Sequence, residues 1–189
     1  NCCGGEDCTS PAPKEGIPMR DPYNVLFLCT GNSARSVLGE ALLNKLGEGR
    51  FRAFSAGSDP KGAVHPMTIE VLDSFGYPTA DLHSKNWDVF TGSDAPEFDF
   101  IFTVCDNAAG ESCPVWPGKP LTAHWGVEDP AAVEGDGQRQ AFVDSLSYLK
   151  RRIELFLMLP LQSIDEMSVR SKLAAIGREE GASAKAKEF

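Results

Sequence analysis

Val25-Leu26-Phe27-Leu28-Cys29-Thr30-Gly31-Asn32-Ser33-Ala34-Arg35-Ser36 is the stretch from which the rest of this chain is best read. Residues 25–28 are apolar without alternation, the pattern of a strand covered on both faces. The run stops at Cys29 in a segment of turn chemistry, where Asn32 suits left-handed backbone angles. Beyond it Val37, Leu38, Ala41, Leu42 and Leu46 recur at helical spacing, and Gly47 and Gly49 close the segment. The order is strand, loop, helix. Such a loop turns several backbone N–H groups toward one point, and these amides together with the helix dipole favour a tetrahedral oxyanion. Thr30, Gly31, Asn32, Ser33, Ala34, Arg35 and Ser36 are therefore the candidate anion-binding residues. Cys29 is a candidate nucleophile whose pKa the same field is expected to lower, from about 8.5 into the range of roughly 3.5 to 7.5. Arg35 offers planar bidentate bonds to an oxyanion, and Ser36 a hydroxyl for the thiolate. No Gly-Lys-Ser/Thr follows the loop, which excludes a nucleotide P-loop.

Outward from this unit, Phe51 to Ala56 reads as a second strand and Pro66 to Phe75 as a helix with Pro66 in its first turn. Ser84 is the expected cap of a short helix over Asn86 to Phe90. Phe98 to Val104 is a third buried strand and, like the first, it ends on a cysteine, Cys105. Leu121 to His124 is a fourth. After Asp129-Pro130, the apolar positions Phe142, Leu146, Leu149, Ile153, Phe156 and Leu157 predict a long helix, and Ile164 to Ile176 predicts another. The polar end from Gly177 is expected to fray. Strands alternating with helices imply an α/β fold, a three-layer α/β/α arrangement around a central four-stranded parallel sheet. Ligands of such sheets bind at the carboxyl ends of the strands, where Cys29 and Cys105 both fall. The chain divides into a Cys/Pro/Gly-rich tail (1–22), the folded domain (23–160), and a C-terminal helix with a polar tail (161–189).

The 189 residues are 42% hydrophobic and 24% charged, ordinary globular usage that argues against a disordered or disulfide-built chain. A formal net charge of −9 leaves no global positive field for nucleic acid or anionic lipid. No apolar run approaches the roughly 20 residues that cross a bilayer, and the start Asn-Cys-Cys-Gly-Gly lacks the apolar core of a signal peptide. The chain opens without Met, as a processed product or a piece of a longer polypeptide does. A cytoplasmic address is the simplest expectation, and there the six cysteines suit metal or redox chemistry better than structural disulfides. His65, His83 and His124 do not match a zinc spacing. His124 and Trp125 are expected at the rim of the pocket.

Three segments together resemble the low-molecular-weight tyrosine phosphatase superfamily, and within it the arsenate reductase branch: Val25 to Ser36, Thr103-Val104-Cys105 through Cys113-Pro114, and His124-Trp125-Gly126 through Asp129-Pro130. The resemblance covers about residues 23 to 160. It implies that Cys29 attacks arsenate held by the loop and Arg35, with Asp129 as general acid, a role compatible with Asp129 also capping a helix that starts at Pro130. It further implies a disulfide cascade from Cys29 to Cys105 to Cys113, which requires a mobile segment 106–112. The implied reductant is external, thioredoxin or a glutaredoxin or mycoredoxin with a small thiol, and no cofactor is bound. Phosphate is the implied competitor, weak phosphatase activity the implied side reaction, and Asn32, Glu40 and Ser55 an implied potassium site; nothing in the sequence demands more than a monomer. The chain departs from the pattern in Ala34, where many members carry a further cysteine. Two other readings stand beside this one. The first is a protein tyrosine phosphatase using Cys29, Arg35 and Asp129, although the Asp-Pro region offers Trp125 and no tyrosine. The second is an arsenite-binding protein using Cys2, Cys3 and Cys8, thiols that also suit a soft metal.

Overall fold

The computed structural model describes residues 16–188. Four parallel strands, β1 (Tyr23–Cys29), β2 (Phe51–Gly57), β3 (Phe100–Thr103) and β4 (Leu121–His124), form one sheet in the order β2-β1-β3-β4. The helices are α1 (Arg35–Leu46), α2 (Pro66–Ser74), α3 (Asp106–Gly110), α4 (Gln138–Leu157) and α5 (Glu166–Gly177). The expected three-layer α/β/α order with its four-stranded parallel sheet is present. Val25, Phe27 and Cys29 of β1 face a core shared with α1, α2, α4 and α5, whereas Leu26 and Leu28 face a smaller cluster with Phe90, Phe98, Ile101 and Trp116. Burial on both faces explains why residues 25–28 carry no polar alternation. The thinner outer layer is built on a 3-10 turn, Trp87–Phe90, capped by Asn86, whose side chain accepts from the Asp88 N–H at 2.8 Å. Ser84, the cap expected from sequence, instead reaches the Gly31 carbonyl at 3.4 Å.

α4 buries Phe142, Leu146, Leu149, Ile153 and Phe156 along one stripe, as its spacing predicts. The Phe156 ring lies 5.0 Å from those of Phe51 and Phe100. Leu28 pairs with Thr103, and Thr103 with His124, so β1, β3 and β4 end side by side. Trp125 is not a rim residue. Its ring stacks on Phe102 with centroids 3.7 Å apart, and its indole N–H donates to the Leu173 carbonyl, because the short β4 delivers it straight into the core. Nor does the polar end fray. Ser183 donates its N–H to the Gly126 carbonyl at 2.9 Å, Ala182 bridges Val127 in antiparallel fashion, and Ala182, Ser183 and Ala186 are buried. The buried Arg152 guanidinium donates to the carbonyls of Tyr148, Glu179 and Glu180, an anchor made of backbone acceptors that a polar sequence does not advertise. No helix among the described residues is long and apolar enough to cross a membrane.

Candidate active site

The loop between β1 and α1 is held from outside by its own carbonyls. Thr30, Gly31 and Ser33 accept from the N–H groups of Asp59, Lys61 and His65 at 3.0, 3.0 and 2.9 Å. With the carbonyls turned away, the N–H groups are left for the interior of the loop, and α1 starts without a side-chain cap that would compete for its first amides. Asn32 takes the left-handed angle that this curvature needs, φ 41°. Gly57, paired with Cys29, has no room for a side chain, since a Cβ there would stand 2.3 Å from the Thr30 carbonyl oxygen.

Above the loop lies a cavity of about 210 Å³ lined by Cys29, Arg35, Asp129 and loop backbone, with Asp59, Lys61 and Asn107 completing the wall. None of its lining residues is aromatic. Asn32 and Ser36, two of the predicted anion-binding residues, do not line it. Both are fully buried beneath it, where Ser36 Oγ lies 2.8 Å from Cys29 Sγ and Asn32 donates its backbone N–H to the same sulfur at 3.1 Å. Burial pushes the Cys29 thiol above its ordinary value, with the Ser36 hydroxyl and then the Arg35 guanidinium pulling the other way. The lowered pKa expected from the sequence is therefore not what the free pocket provides, because desolvation outweighs the donors. Arg35 donates from Nη1 to the Val127 carbonyl at 3.0 Å and lies 3.6 Å by Nη2 from Asp129, whose other oxygen accepts the Ala131 N–H. The Asp-Pro segment thus caps a short 3-10 turn, Pro130–Ala132, and faces the cavity at the same time.

Cys105 is buried against the loop and accepts the Thr30 N–H at 3.3 Å. It also caps α3, accepting from the Ala108 N–H at 3.4 Å. Segment 106–112, expected to be mobile, carries this one-turn helix. Asp106, its first residue, accepts from Ser183 Oγ, contacts His124 Nε2 at 2.9 Å and receives the Lys185 N–H at 3.3 Å. Burial would raise the Asp106 carboxyl, but Ser183 and His124 outweigh it and hold the group below the usual carboxylate range. Cys113 lies in an exposed loop with the Trp116 indole N–H donating to its sulfur at 3.2 Å. The three cysteines are free thiols.

Asn32, Glu40 and Ser55 do come together. Asn32 Nδ2 donates to Ser55 Oγ at 3.0 Å, and Ser55 donates to Glu40. A cation of the protein's own stands there too, since Lys85 Nζ is 3.9 Å from Glu40 Oε2 and its backbone N–H donates to Asn32 Oδ1 at 2.8 Å. Burial raises the Glu40 carboxyl and lowers the Lys85 ammonium, each opposed by the other. Lys85, Lys61, Asp59 and Asn107 escaped the sequence reading. The rule that loops at the carboxyl ends of parallel strands build the pocket points to the segment after β2, but nothing in the spacing singles out its residues. Among the described residues no cluster of three or more His, Cys, Asp or Glu could hold a metal ion. Cys2, Cys3 and Cys8 lie outside the described residues.

Comparison with known proteins agrees with this geometry. The chain is 34% identical over 116 residues to an arsenate reductase of Brevibacillus brevis, spanning 61% of this chain and 83% of that protein. It is 30% identical over 111 residues to an arsenate reductase of Bacillus subtilis, spanning 59% and 76%. Among solved structures, an arsenate reductase from Archaeoglobus fulgidus superposes with a TM-score of 0.53 at 30% identity, covering 69% of this chain and 98% of that one. An arsenate reductase in a phosphate-binding state gives 0.55 at 26%, covering 71% and 96%. The description "Low molecular weight phosphotyrosine protein phosphatase" matches residues 24–170. With this match over most of its length, and a thiol and a guanidinium closing an amide-lined loop at the strand ends, the chain belongs to the low molecular weight phosphotyrosine protein phosphatase family.

Proposed function

We propose that this chain reduces arsenate to arsenite with its own thiols. The observation that carries the reading is a second buried thiol, Cys105, seated on the amide of the residue that follows Cys29, beside a small cavity without aromatic walls. A phosphatase needs no second thiol there, and an aryl phosphate finds no ring to pack on. An entering arsenate dianion takes the Cys29 thiol proton, leaving thiolate and monoanion together among the loop amides and Arg35. The thiolate then forms a sulfur–arsenic bond, a proton from Asp129 leaves with one arsenate oxygen as water, and the pentavalent adduct remains on Cys29. Cys105 thiolate attacks the Cys29 sulfur. The sulfur–arsenic bond breaks with its electron pair on arsenic, which departs after protonation as trivalent arsenite, and a Cys29–Cys105 disulfide is left. Cys113 attacks Cys105 in turn, releasing Cys29 as thiolate and placing the disulfide nearer the surface, where an external dithiol donor of the thioredoxin type, or a small thiol with its own carrier, reduces it.

The test is arsenate-dependent oxidation of NADPH coupled through thioredoxin and thioredoxin reductase, with a glutaredoxin couple in parallel. Turnover in the unaltered chain and its loss in Cys113→Ser is the expected result. No oxidation with either couple, alongside brisk hydrolysis of a phosphotyrosine analogue, overturns it in favour of the phosphatase.

A further inference from the structure

The C-terminal segment beyond residue 178 is seated on the machinery just described. It runs antiparallel to Gly126 and Val127, through the Ala182–Val127 bridge and the Ser183 N–H to the Gly126 carbonyl. From there Ser183 Oγ and the Lys185 N–H both reach the carboxylate of Asp106, and Lys185 Nζ reaches the Asp106 carbonyl at 3.4 Å. Asp106 is the first residue of α3 and follows Cys105 directly. The fit is close. A Cβ on Gly126 would stand 2.3 Å from Ser183 Oγ and 2.8 Å from Asp106 Oδ1. His124, held by Thr103 at 2.8 Å, fixes the same carboxylate from the end of β4. Residues 179–188 lie beyond the 24–170 span that matches the family.

We propose that Ser183 is a positioning residue: through Asp106 it keeps α3 wound and Cys105 on the Thr30 amide. This inference rests on the thiol relay proposed above, and it divides that relay into two demands. Attack on Cys29 needs Cys105 where it stands, at the cap of α3. A bond from Cys105 to Cys113 needs the two Cα atoms within about 7 Å, with segment 106–112 closed into a loop. The charge-assisted bonds to Asp106 favour the first arrangement and oppose the second. Releasing them loosens α3, which slows formation of the Cys29–Cys105 disulfide and speeds its consumption.

The experiment uses the reduced chain, mixed with arsenate without an external reductant, quenched in acid at intervals and mapped for disulfides by non-reducing peptide mass spectrometry. Ser183→Ala and Asp106→Asn are compared with the unaltered protein. The expected result is a Cys29–Cys105 lifetime shorter by about tenfold, the effect of about 1.4 kcal/mol, with the melting temperature of Ser183→Ala lower by only a few degrees. Amide hydrogen exchange supplies the second readout: in the reduced variants residues 106–110 exchange faster, while α1 and the sheet do not. Equal lifetimes and equal exchange overturn the role of Ser183. Absence of any Cys105–Cys113 disulfide in the unaltered chain overturns the relay itself, and the proposal with it, and the exchange measurement tells the two failures apart.

Discussion

At the scale of single residues the site depends on groups that do two jobs. Arg35 spends one nitrogen on the Val127 carbonyl and turns another toward Asp129, which leaves the remaining face of its planar fork for the anion. Lysine offers three donors from one point and cannot serve both sides. Arg35→Lys should therefore lower kcat/KM for arsenate by about 10- to 100-fold, the loss of one hydrogen bond to a charged group, with the fold intact by circular dichroism. An unchanged kcat/KM would mean that the loop amides alone hold the substrate. Lys85 and Glu40 form a half-buried pair under the loop, 3.9 Å apart, and removing one partner leaves the other unpaired. Lys85→Met is expected to cost about 1 kcal/mol of stability near neutral pH. The sign with pH follows from Glu40, whose carboxyl is raised by burial: an acid with a raised folded pKa loses stability as pH rises through that value, so the cost of Lys85→Met grows with pH and fades below it. Denaturant titrations of both proteins from pH 4.5 to 8 check this. Because Lys85 brings an ammonium to Glu40, replacing sodium with potassium should leave turnover of the unaltered chain unchanged. A several-fold activation by potassium would show that the ammonium does not substitute for the ion.

At the scale of elements the contact between α5 and β4 leaves little tolerance. Gly177 closes α5 where a Cβ would lie 2.3 Å from the His124 carbonyl oxygen, a backbone atom that cannot swing aside. Gly177→Ala should cost about 2 kcal/mol, in the range of overpacking, whereas Gly137→Ala, with only a Val133 methyl 3.5 Å away, should cost well under 1 kcal/mol by the same measure. Equal costs from urea melts would mean that α5 shifts freely on the sheet. The contrast bears on what the sequence makes legible. β1, the loop and α4 each announce themselves by a local pattern, an unbroken apolar run, a turn between two cadences, and a stripe of Phe142, Leu146, Leu149 and Ile153. Most of the cavity lining was visible, since Cys29 to Arg35 sit in that pattern and Asp129 in the Asp-Pro pair, while Asp59, Lys61 and Asn107 reach it from segments whose direction only the tertiary fold sets. α3 stayed hidden because a five-residue helix has no period to detect and its cap is a cysteine sulfur. Trp125 was misread because a four-residue strand leaves its facing ambiguous by one step.

At the scale of the whole molecule the polar C-terminal segment is part of the core by proxy. The net charge of −9 gives an anionic substrate no long-range attraction, so recognition falls to local groups whose placement depends on packing. Arg152 illustrates how far that packing reaches: it is fully buried, its pKa lowered by that burial, and two of the three carbonyls it donates to belong to Glu179 and Glu180. A chain ending at Arg178 removes both acceptors, strips Val127 of its antiparallel neighbour and leaves a guanidinium in the interior. Stability should fall by about 3 to 5 kcal/mol, the cost of an uncompensated buried charge, although residues 179–188 are all polar or small. The same truncation carried out in an Arg152→Met background should lose less than half as much, since no charge is then stranded. Guanidinium melts of the four proteins give the coupling between Arg152 and the segment directly. Additive losses would show that water replaces the two carbonyls, and the segment would then be packing against the sheet without anchoring it.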